Sequence, residues 1–113
     1  DYEKLQAKYS MQAVELYNQF QDDEDAAGQK YNGKMIQLEG TMNKVESSDS
    51  LLTAVFVFNK GMFGDEGVRI SMLPSQHENL KEIELPADVK MKAYCIGSTD
   101  SDVVLKKGSI VQH

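Results

Sequence analysis

Four consecutive carboxylates, Asp22 to Asp25, are the residues whose type and spacing best suit chemistry in this sequence. Carboxylate oxygens are the ligands that Ca²⁺ prefers, and an EF-hand loop supplies them at fixed positions. A loop counted from Asp23 has Asp25 at its third position and Gly28 at its sixth, but Lys34 stands at the twelfth, where a glutamate is required. The calcium register therefore fails. We expect a solvated helix end or helix start, where acidic side chains are favourable.

The histidines and the single cysteine give no catalytic or metal site. His77 and His113 are the only histidines, and neither has a second histidine or a cysteine at the spacing that zinc needs. Cys95 has no base or orienting partner nearby in sequence, as a nucleophile would need. It alternates with the apolar residues between Val89 and Ala93, which predicts a buried thiol. We therefore expect no metal, no cofactor, no catalytic residue and no enzyme.

Aromatic and cationic side chains on the predicted strands suit a different chemistry, the binding of a single-stranded oligomer. Proteins that bind single strands stack bases on aromatic rings and place cations beside them. Either Phe56 or Phe58 is expected in the core, and the lysines also suit an ordinary solvated face. The candidate binding residues are Phe58, Lys60, Phe63, Arg69, Lys90, Lys92 and Tyr94.

Phe63 also belongs to a second kind of candidate surface. It follows Met62 in a stretch flanked by Gly61 and Gly64. An exposed Met-Phe tip favours contact with a protein or a membrane surface. The alternative, in which the tip folds back onto the end of the fold, stays open at the level of the sequence.

The charge balance disfavours a nucleic-acid partner. The chain carries 12 Lys and Arg against 18 Asp and Glu, a net charge of −6. Residues 1–33 hold three basic and seven acidic side chains, and residues 34–113 hold nine and eleven. Nucleic-acid binders are usually basic, because neutralising phosphates supplies much of their affinity. The partner is therefore expected to be an unknown protein or oligomer, with nucleic acid disfavoured by charge.

Helical periodicity occupies the N-terminal third of the chain. Apolar residues recur at spacings of three and four from Tyr2 to Phe20, as on one face of an amphipathic helix. Ser10 offers an alternative, in which it caps a separate helix from Met11 to about Asp22. A further helical turn is expected from Asp23 to Lys30.

Strand patterning follows from Lys34 onward. A helix from Pro74 to about Ile83, with Ser75 as its cap, is expected between strands three and four, and a flexible glycine-rich loop over Asn59–Gly67. The five predicted strands are Lys34–Val45, Leu51–Phe58, Val68–Met72, Val89–Ile96 and Asp102–Val111.

Gly40, in the middle of strand one, points to a particular fold. Strand interiors usually avoid glycine, and a glycine within a long alternating run suggests the sharp bend that a small closed barrel needs. The sequence therefore predicts a mainly β fold with helices, a five-stranded Greek-key OB barrel. Residues 1–113 would form a single domain, with a helical arm over 1–33 and the barrel over 34–113.

Several short patterns resemble the tRNA-anti-like OB-fold family, whose small bacterial domains often occur on envelope lipoproteins. The resemblance covers about residues 10–112. The chain departs from the family pattern in two places: family members often have an asparagine in the cluster that is Asp22–Asp25 here, and a cysteine in the last strand, where Gly108 and Ser109 stand here. The matching pieces are Leu16-Tyr-x-x-Phe20 with Ala27-x-x-x-Tyr31-x-Gly-Lys34, then Ile36-x-Leu-x-Gly40, then Val89–Gly97, Val103-Val-Leu105 and Ile110-Val111.

The resemblance implies an OB fold, and it suggests single-stranded nucleic-acid binding on the face of strands two and three only by analogy at the level of the fold. We expect a non-catalytic binding module, facing a protein or the cell envelope, with nucleic-acid or other oligomer binding as the alternative. The sequence begins at Asp1 and shows no signal peptide. An envelope location, periplasmic or as a tethered lipoprotein, is expected, with membrane contact only through a tether outside this sequence.

Overall fold

A computed structural model describes residues 1–113 as a mainly β fold with seven strands and three α-helices. Two short 3-10 turns lie at Tyr2–Lys4 and Pro74–Gln76. The strands are β1 (Tyr9–Gln12), β2 (Met35–Met42), β3 (Lys44–Ser48), β4 (Leu51–Gly61), β5 (Gly64–Met72), β6 (Ala87–Ser98) and β7 (Asp102–Gln112). The helices are α1 (Ala13–Asp22), α2 (Glu24–Tyr31) and α3 (His77–Lys81).

All seven strands belong to one sheet, in the order β1-β2-β6-β7-β5-β4-β3. Two pairs are parallel, β1 with β2 and β5 with β7, and the others are antiparallel. The ladder is open, because it ends at β1 on one side and at β3 on the other. The prediction of a mainly β fold with helices is confirmed, but the prediction of five strands in a closed barrel is wrong.

Predicted strand one is two strands, β2 and β3, separated by Asn43. The Asn43 N–H donates to Val55 O at 2.9 Å, and its side-chain Oδ1 accepts from Val57 N at 2.6 Å. These bonds attach the break to β4, so the chain leaves β2 near one end of the sheet and enters β3 at the other. A sheet whose ends are joined by one residue must curl around its core, which gives an OB-like, partly open arrangement.

Gly40 lies within β2, opposite Val89, and the chain changes direction at Asn43 instead. A Cβ at Gly40 would lie 3.4 Å from Ala13 Cβ and 3.5 Å from Phe56 Cδ2. Both distances are ordinary van der Waals contacts, so the position has room for a Cβ and does not itself require glycine. β2 therefore continues through Gly40 without a break, and the change of partner strand comes at Asn43.

The N-terminal third differs from both helical predictions. Tyr9–Gln12 forms β1, parallel to β2, and α1 begins only at Ala13. Ser10 lies in the strand and caps nothing. The acidic run behaves as a helix start, because the Asp23 side chain accepts a hydrogen bond from Ala26 N at 3.1 Å and caps α2.

Two connections also differ from the prediction. The region expected to be a flexible loop over Asn59–Gly67 is mostly strand, since β4 continues to Gly61 and β5 begins at Gly64. The helix expected from Pro74 is reduced to a 3-10 turn and the five-residue α3, and Ser75 makes no capping bond. The last two predicted strands correspond to β6 and β7.

One apolar core connects the helices to the sheet. It contains 22 buried residues, drawn from α1, α2, α3 and five of the strands. On β6, Val89, Met91, Ala93 and Cys95 are at most 2% exposed, which confirms the alternation predicted for this strand. No helix is both long enough and apolar enough to span a membrane.

Candidate binding surfaces

The β4–β5 hairpin ends in an apolar tip formed by Met62 and Phe63. The ladder continues to the pair Gly61–Gly64, so the two strands stay together until the turn. Met62 is 91% exposed and Phe63 is 99% exposed. The tip therefore projects into solvent and does not fold back onto the sheet.

Carboxylates surround this hairpin tip. A cleft of about 340 Å³ lies between the hairpin and the β6–β7 turn. Lys60 is exposed opposite Asp65 in the ladder, and three carboxylates line the cleft, so a predominantly acidic surface lies beside the apolar tip. The lining residues are Phe63, Gly64, Asp65, Glu66, Asp100 and Ser101.

The outer face of β4 and β5, which corresponds to predicted strands two and three, carries an ion-pair network. Arg69 Nε lies 3.2 Å from Asp102 Oδ2, and Arg69 Nη1 also donates to Glu46. Lys44 Nζ lies 3.3 Å from both Glu46 Oε2 and Asp65 Oδ2. The five charged groups neutralise each other almost completely, with one carboxylate in excess.

The pKa shifts show how firmly this network holds its charges. Burial disfavours the ionised form of Glu46, but hydrogen bonds from Arg69 and Lys44 outweigh it and lower the carboxyl pKa. Burial also disfavours the Arg69 cation, but Glu46 and Asp102 keep the guanidinium pKa above its ordinary value. Arg69 is therefore committed to two carboxylates and is poorly placed to bind a phosphate.

The two phenylalanines of β4 divide between core and surface. Phe56 is fully buried, so it is the core member of the pair. Phe58 lies at an irregularity between the pairs Val57–Gly67 and Asn59–Glu66, and its partly buried ring packs 5.6 Å from the Tyr17 ring. The structure therefore gives Phe58 a packing partner, and it is no free stacking platform.

The structure brings three of the predicted residues, Lys90, Lys92 and Tyr94, together on the outer face of β6. They alternate with buried core residues, so they point away from the core. Lys92 Nζ donates to Leu5 O at 2.6 Å, which attaches the N-terminal segment to this face. In the sheet, β7 and β5 separate this group from β4, so the predicted residues fall into three separate surfaces.

Sequence analysis did not identify Lys106 as part of the β6 surface. It lies directly opposite Tyr94 on β7, on the same face of the sheet. No signal along the chain could have paired residues 94 and 106, because the β6–β7 register is irregular and is fixed only by the fold.

Cys95 is a buried thiol, as predicted. It is 1% exposed, and its Sγ donates to Asn32 Oδ1 at 3.6 Å. Burial raises its pKa to about 11, and a backbone hydrogen bond from Gly97 only partly opposes that effect. The thiolate needed for nucleophilic chemistry is therefore scarce at neutral pH.

We expect Cys95 to react slowly with a thiol reagent such as Ellman's reagent in the folded protein. A pKa of about 11, against an ordinary value of 9.0, lowers the thiolate fraction at pH 8 by about a hundredfold, and burial slows the reaction further. The measurement is the rate of colour development at pH 8, with and without denaturing urea. Equal rates in the two conditions would show that the thiol is accessible in the native state.

Comparisons with known proteins address the fold and the family. The family model for tRNA_anti-like matches residues 1–110. The chain is similar to the crystal structure of a lipoprotein from Klebsiella pneumoniae subsp. pneumoniae MGH 78578 for which nucleic-acid binding is proposed, with a TM-score of 0.69, 10% identity and 91% of each chain covered. At this identity the similarity shows the fold alone.

A weaker similarity links the chain to asparaginyl-tRNA synthetase from Pyrococcus horikoshii, complexed with asparaginyl-adenylate. The TM-score is 0.46 at 12% identity, and the alignment covers 74% of this chain but 20% of the synthetase. This similarity is too low to support an argument about fold or function. No curated protein sequence matches the chain.

Proposed function

The chain belongs to the tRNA_anti-like family, and from this premise we propose that it is a binding module rather than an enzyme. We propose further that it contacts a partner protein through the tip of the β4–β5 hairpin. The single observation that carries this proposal is the exposure of Phe63 (99%) beside Met62 (91%). Every other phenylalanine of the chain is buried or packed against the core.

Such a tip is well suited to insertion into a pocket of a partner. Burying a phenylalanine side chain is worth about 2–3 kcal/mol, and aromatic anchors dominate the energy of many protein interfaces. Met62 adds a flexible thioether that can adapt to an irregular apolar surface. The paired strands below hold the tip in place, so little order has to be gained on binding.

The charge around the tip favours one kind of partner. Asp65, Glu66 and Asp100 line the adjoining cleft. A partner pocket with basic residues at its rim would complement these carboxylates and be steered toward them. An anionic lipid surface would repel them, so we favour a protein over a membrane as the partner of the tip.

The alternative, single-stranded nucleic acid on the face of β4 and β5, receives less support. Nucleic-acid binding is proposed for the Klebsiella lipoprotein, and the family resemblance suggests it by analogy. In this chain, however, Arg69 already binds Glu46 and Asp102, and Phe58 packs against Tyr17.

We also propose a cell-envelope location, either periplasmic or tethered as a lipoprotein. The similarity to the Klebsiella lipoprotein supports this proposal.

We expect Phe63→Ser to weaken partner binding without changing the stability of the domain. The side chain has almost no contact with the rest of the chain, so its loss should change the free energy of unfolding by less than about 0.5 kcal/mol. A photo-crosslinking amino acid at the exposed position Lys60 should trap a discrete partner in the native cell. We expect Phe63→Ser to reduce this crosslinked product at least fivefold.

Leu51 provides a matched control, because it is an exposed apolar residue (42%) in the β3–β4 turn region rather than at the tip. Leu51→Ser should leave the crosslinked product at its original level. If Phe63→Ser and Leu51→Ser reduce the crosslinked product equally, or if neither variant reduces it, the tip is not the contact. Unfolding of Phe63→Ser would show that the ring is part of the packed structure.

A further inference from the structure

The strand register places an aromatic ring between two lysines on the outer face of β1, β2, β6 and β7. Tyr94 on β6 lies opposite Met35 on β2 and opposite Lys106 on β7. The backbone N–H of Lys8 donates to Met35 O at 2.8 Å, which continues the row beyond β2. With neighbouring strands about 4.8 Å apart, Lys8 and Lys106 stand about 14 Å from each other across the row.

The side chains of this row share one face of the sheet. Directly opposite residues point to the same side, and Tyr94 points away from the core because Ala93 and Cys95 are buried. Lys8 and Lys106 are exposed, whereas Met35 is 6% exposed. The row therefore presents two ammonium groups and an aromatic ring, with no protruding aliphatic side chain.

The adjoining rows are also basic. Lys92 lies two residues before Tyr94 on β6, and Lys90 lies two residues before Lys92, opposite Glu39 on β2. The rows through Tyr94, Lys92 and Lys90 together carry four lysines and a single carboxylate. Their net charge is +3, in a chain whose total is −6. None of these lysines forms an ion pair with a side chain. The face differs in this respect from β3 and β5, where Lys44 and Arg69 are paired with carboxylates.

A second tyrosine and lysine adjoin the same face. The N-terminal segment crosses β6, where Lys92 Nζ binds Leu5 O, and it brings Tyr2 beside β7. Lys107 Nζ lies 5.4 Å from the centroid of the Tyr2 ring, and Tyr2 is 39% exposed. Tyr2 and Lys107 thus adjoin the face, together with the carboxylates of Asp1 and Glu3 from the same N-terminal segment.

We propose that this face, which we call the lysine–tyrosine face, binds single-stranded nucleic acid. Unpaired lysines track a phosphate backbone, and aromatic rings among them stack on bases exposed in a single strand. A duplex hides its bases from such rings, and an anionic membrane would call for apolar side chains that insert, which the central row lacks. The proposal is independent of the hairpin-tip contact, which lies on other strands.

The test is fluorescence anisotropy of a labelled twelve-nucleotide oligothymidylate titrated with the whole chain. Lys106→Glu should weaken binding at least tenfold, and Tyr94→Leu at least fivefold, because one removes a phosphate contact and the other a stacking surface. Raising the salt from 20 to 200 mM should weaken binding about a hundredfold if three lysines contact phosphates.

Controls separate this site from general charge effects. Lys81→Glu makes the same charge change at an exposed position of α3 and should weaken binding less than threefold. Lys8→Glu, at the other end of the row, should match Lys106→Glu. Phe63→Ser should bind the oligonucleotide normally, which keeps this result distinct from the hairpin-tip proposal.

Four outcomes would overturn the proposal. They are equal losses from Lys106→Glu and Lys81→Glu, normal binding by Tyr94→Leu, equal affinity for a duplex of the same length, and binding to phosphatidylserine vesicles without binding to the oligonucleotide. Thermal unfolding of each variant identifies any loss that arises from unfolding. Lys8→Glu and Lys106→Glu, both at exposed positions, decide the question if Tyr94→Leu is unstable.

Discussion

Phe56→Ala is expected to lower the free energy of unfolding by about 3–5 kcal/mol, a large part of the 5–15 kcal/mol that stabilises a typical domain. The Phe56 side chain is fully buried in the middle of β4. Its ring lies beneath the gap left by Gly40, 3.5 Å from where a Cβ would stand, so β2 and β4 meet around it. Removing the ring leaves a cavity that the surrounding strands cannot close. Urea denaturation followed by circular dichroism measures the loss.

The same substitution at the other two phenylalanines of this region gives an internal scale. Phe58→Ala should cost less than Phe56→Ala, because the ring is only partly buried and packs mainly on Tyr17. Phe63→Ala should cost less than about 0.5 kcal/mol, because the side chain is 99% exposed. If Phe63→Ala were as costly as Phe56→Ala, the tip would be packed, and the proposed protein contact would be lost with it.

Local patterns predicted those parts of the fold that depend on local alternation. On β6, apolar and polar residues alternate over eight positions, and a strand buried on one face is the arrangement that satisfies this pattern. The buried state of Cys95 follows from the same alternation. The acidic run was predicted to be a helix end or a helix start, and it is a helix start, where carboxylates are favourable.

The predictions that failed depend on partners distant in sequence. β1 has four residues and forms because Tyr9–Gln12 meets residues 36–39 of β2, about 27 positions away. Nothing in the sequence of those four residues distinguishes a short parallel strand from the first turn of an amphipathic helix. The break at Asn43 likewise depends on β4, because Val55 O accepts from Asn43 N–H and Val57 N–H donates to Asn43 Oδ1 only after β4 has folded beside it.

The predictions of binding surfaces were limited for the same reason, because these surfaces also depend on residues distant in sequence. Arg69 was a candidate binding residue, but its partners Glu46 and Asp102 lie 23 and 33 residues away, so its ion pairs could not be predicted from the sequence. Lys90, Lys92 and Tyr94 lie on one predicted strand, so its alternation alone places them on one face. Their extension by Lys8 and Lys106 needed the register of four strands.

Gly67→Ala is the second substitution for which we expect a large effect, a loss of about 3 kcal/mol or more. A Cβ at Gly67 would lie 1.8 Å from Phe56 O and 2.9 Å from Phe56 C. These atoms belong to the backbone of the paired strand, so no side-chain rotation can relieve the clash. The substitution can be accommodated only if β4 and β5 separate or shift register. Thermal and urea unfolding measure the loss.

Gly40→Ala is the matched control, because the contacts of its new Cβ, at 3.4 and 3.5 Å, are ordinary van der Waals distances. It should cost less than about 1 kcal/mol, and near-equal losses at the two glycines would contradict the described β4–β5 register.

The expected consequence of Gly67→Ala also reaches the candidate surfaces. Gly67 N donates to Asp102 Oδ1 at 2.9 Å, and the same carboxylate holds Arg69, so a shift of β5 would loosen the ion pairs on this face. The irregularity opposite Gly67 also adds twist to the hairpin that carries Phe63. A Gly67→Ala protein that still folds at low temperature should therefore lose the partner crosslink at Lys60 while it keeps the oligonucleotide affinity of the lysine–tyrosine face. Loss of both activities together would show that the two surfaces depend on one cooperative unit, whereas retention of the crosslink would show that the hairpin does not need this register to present its tip.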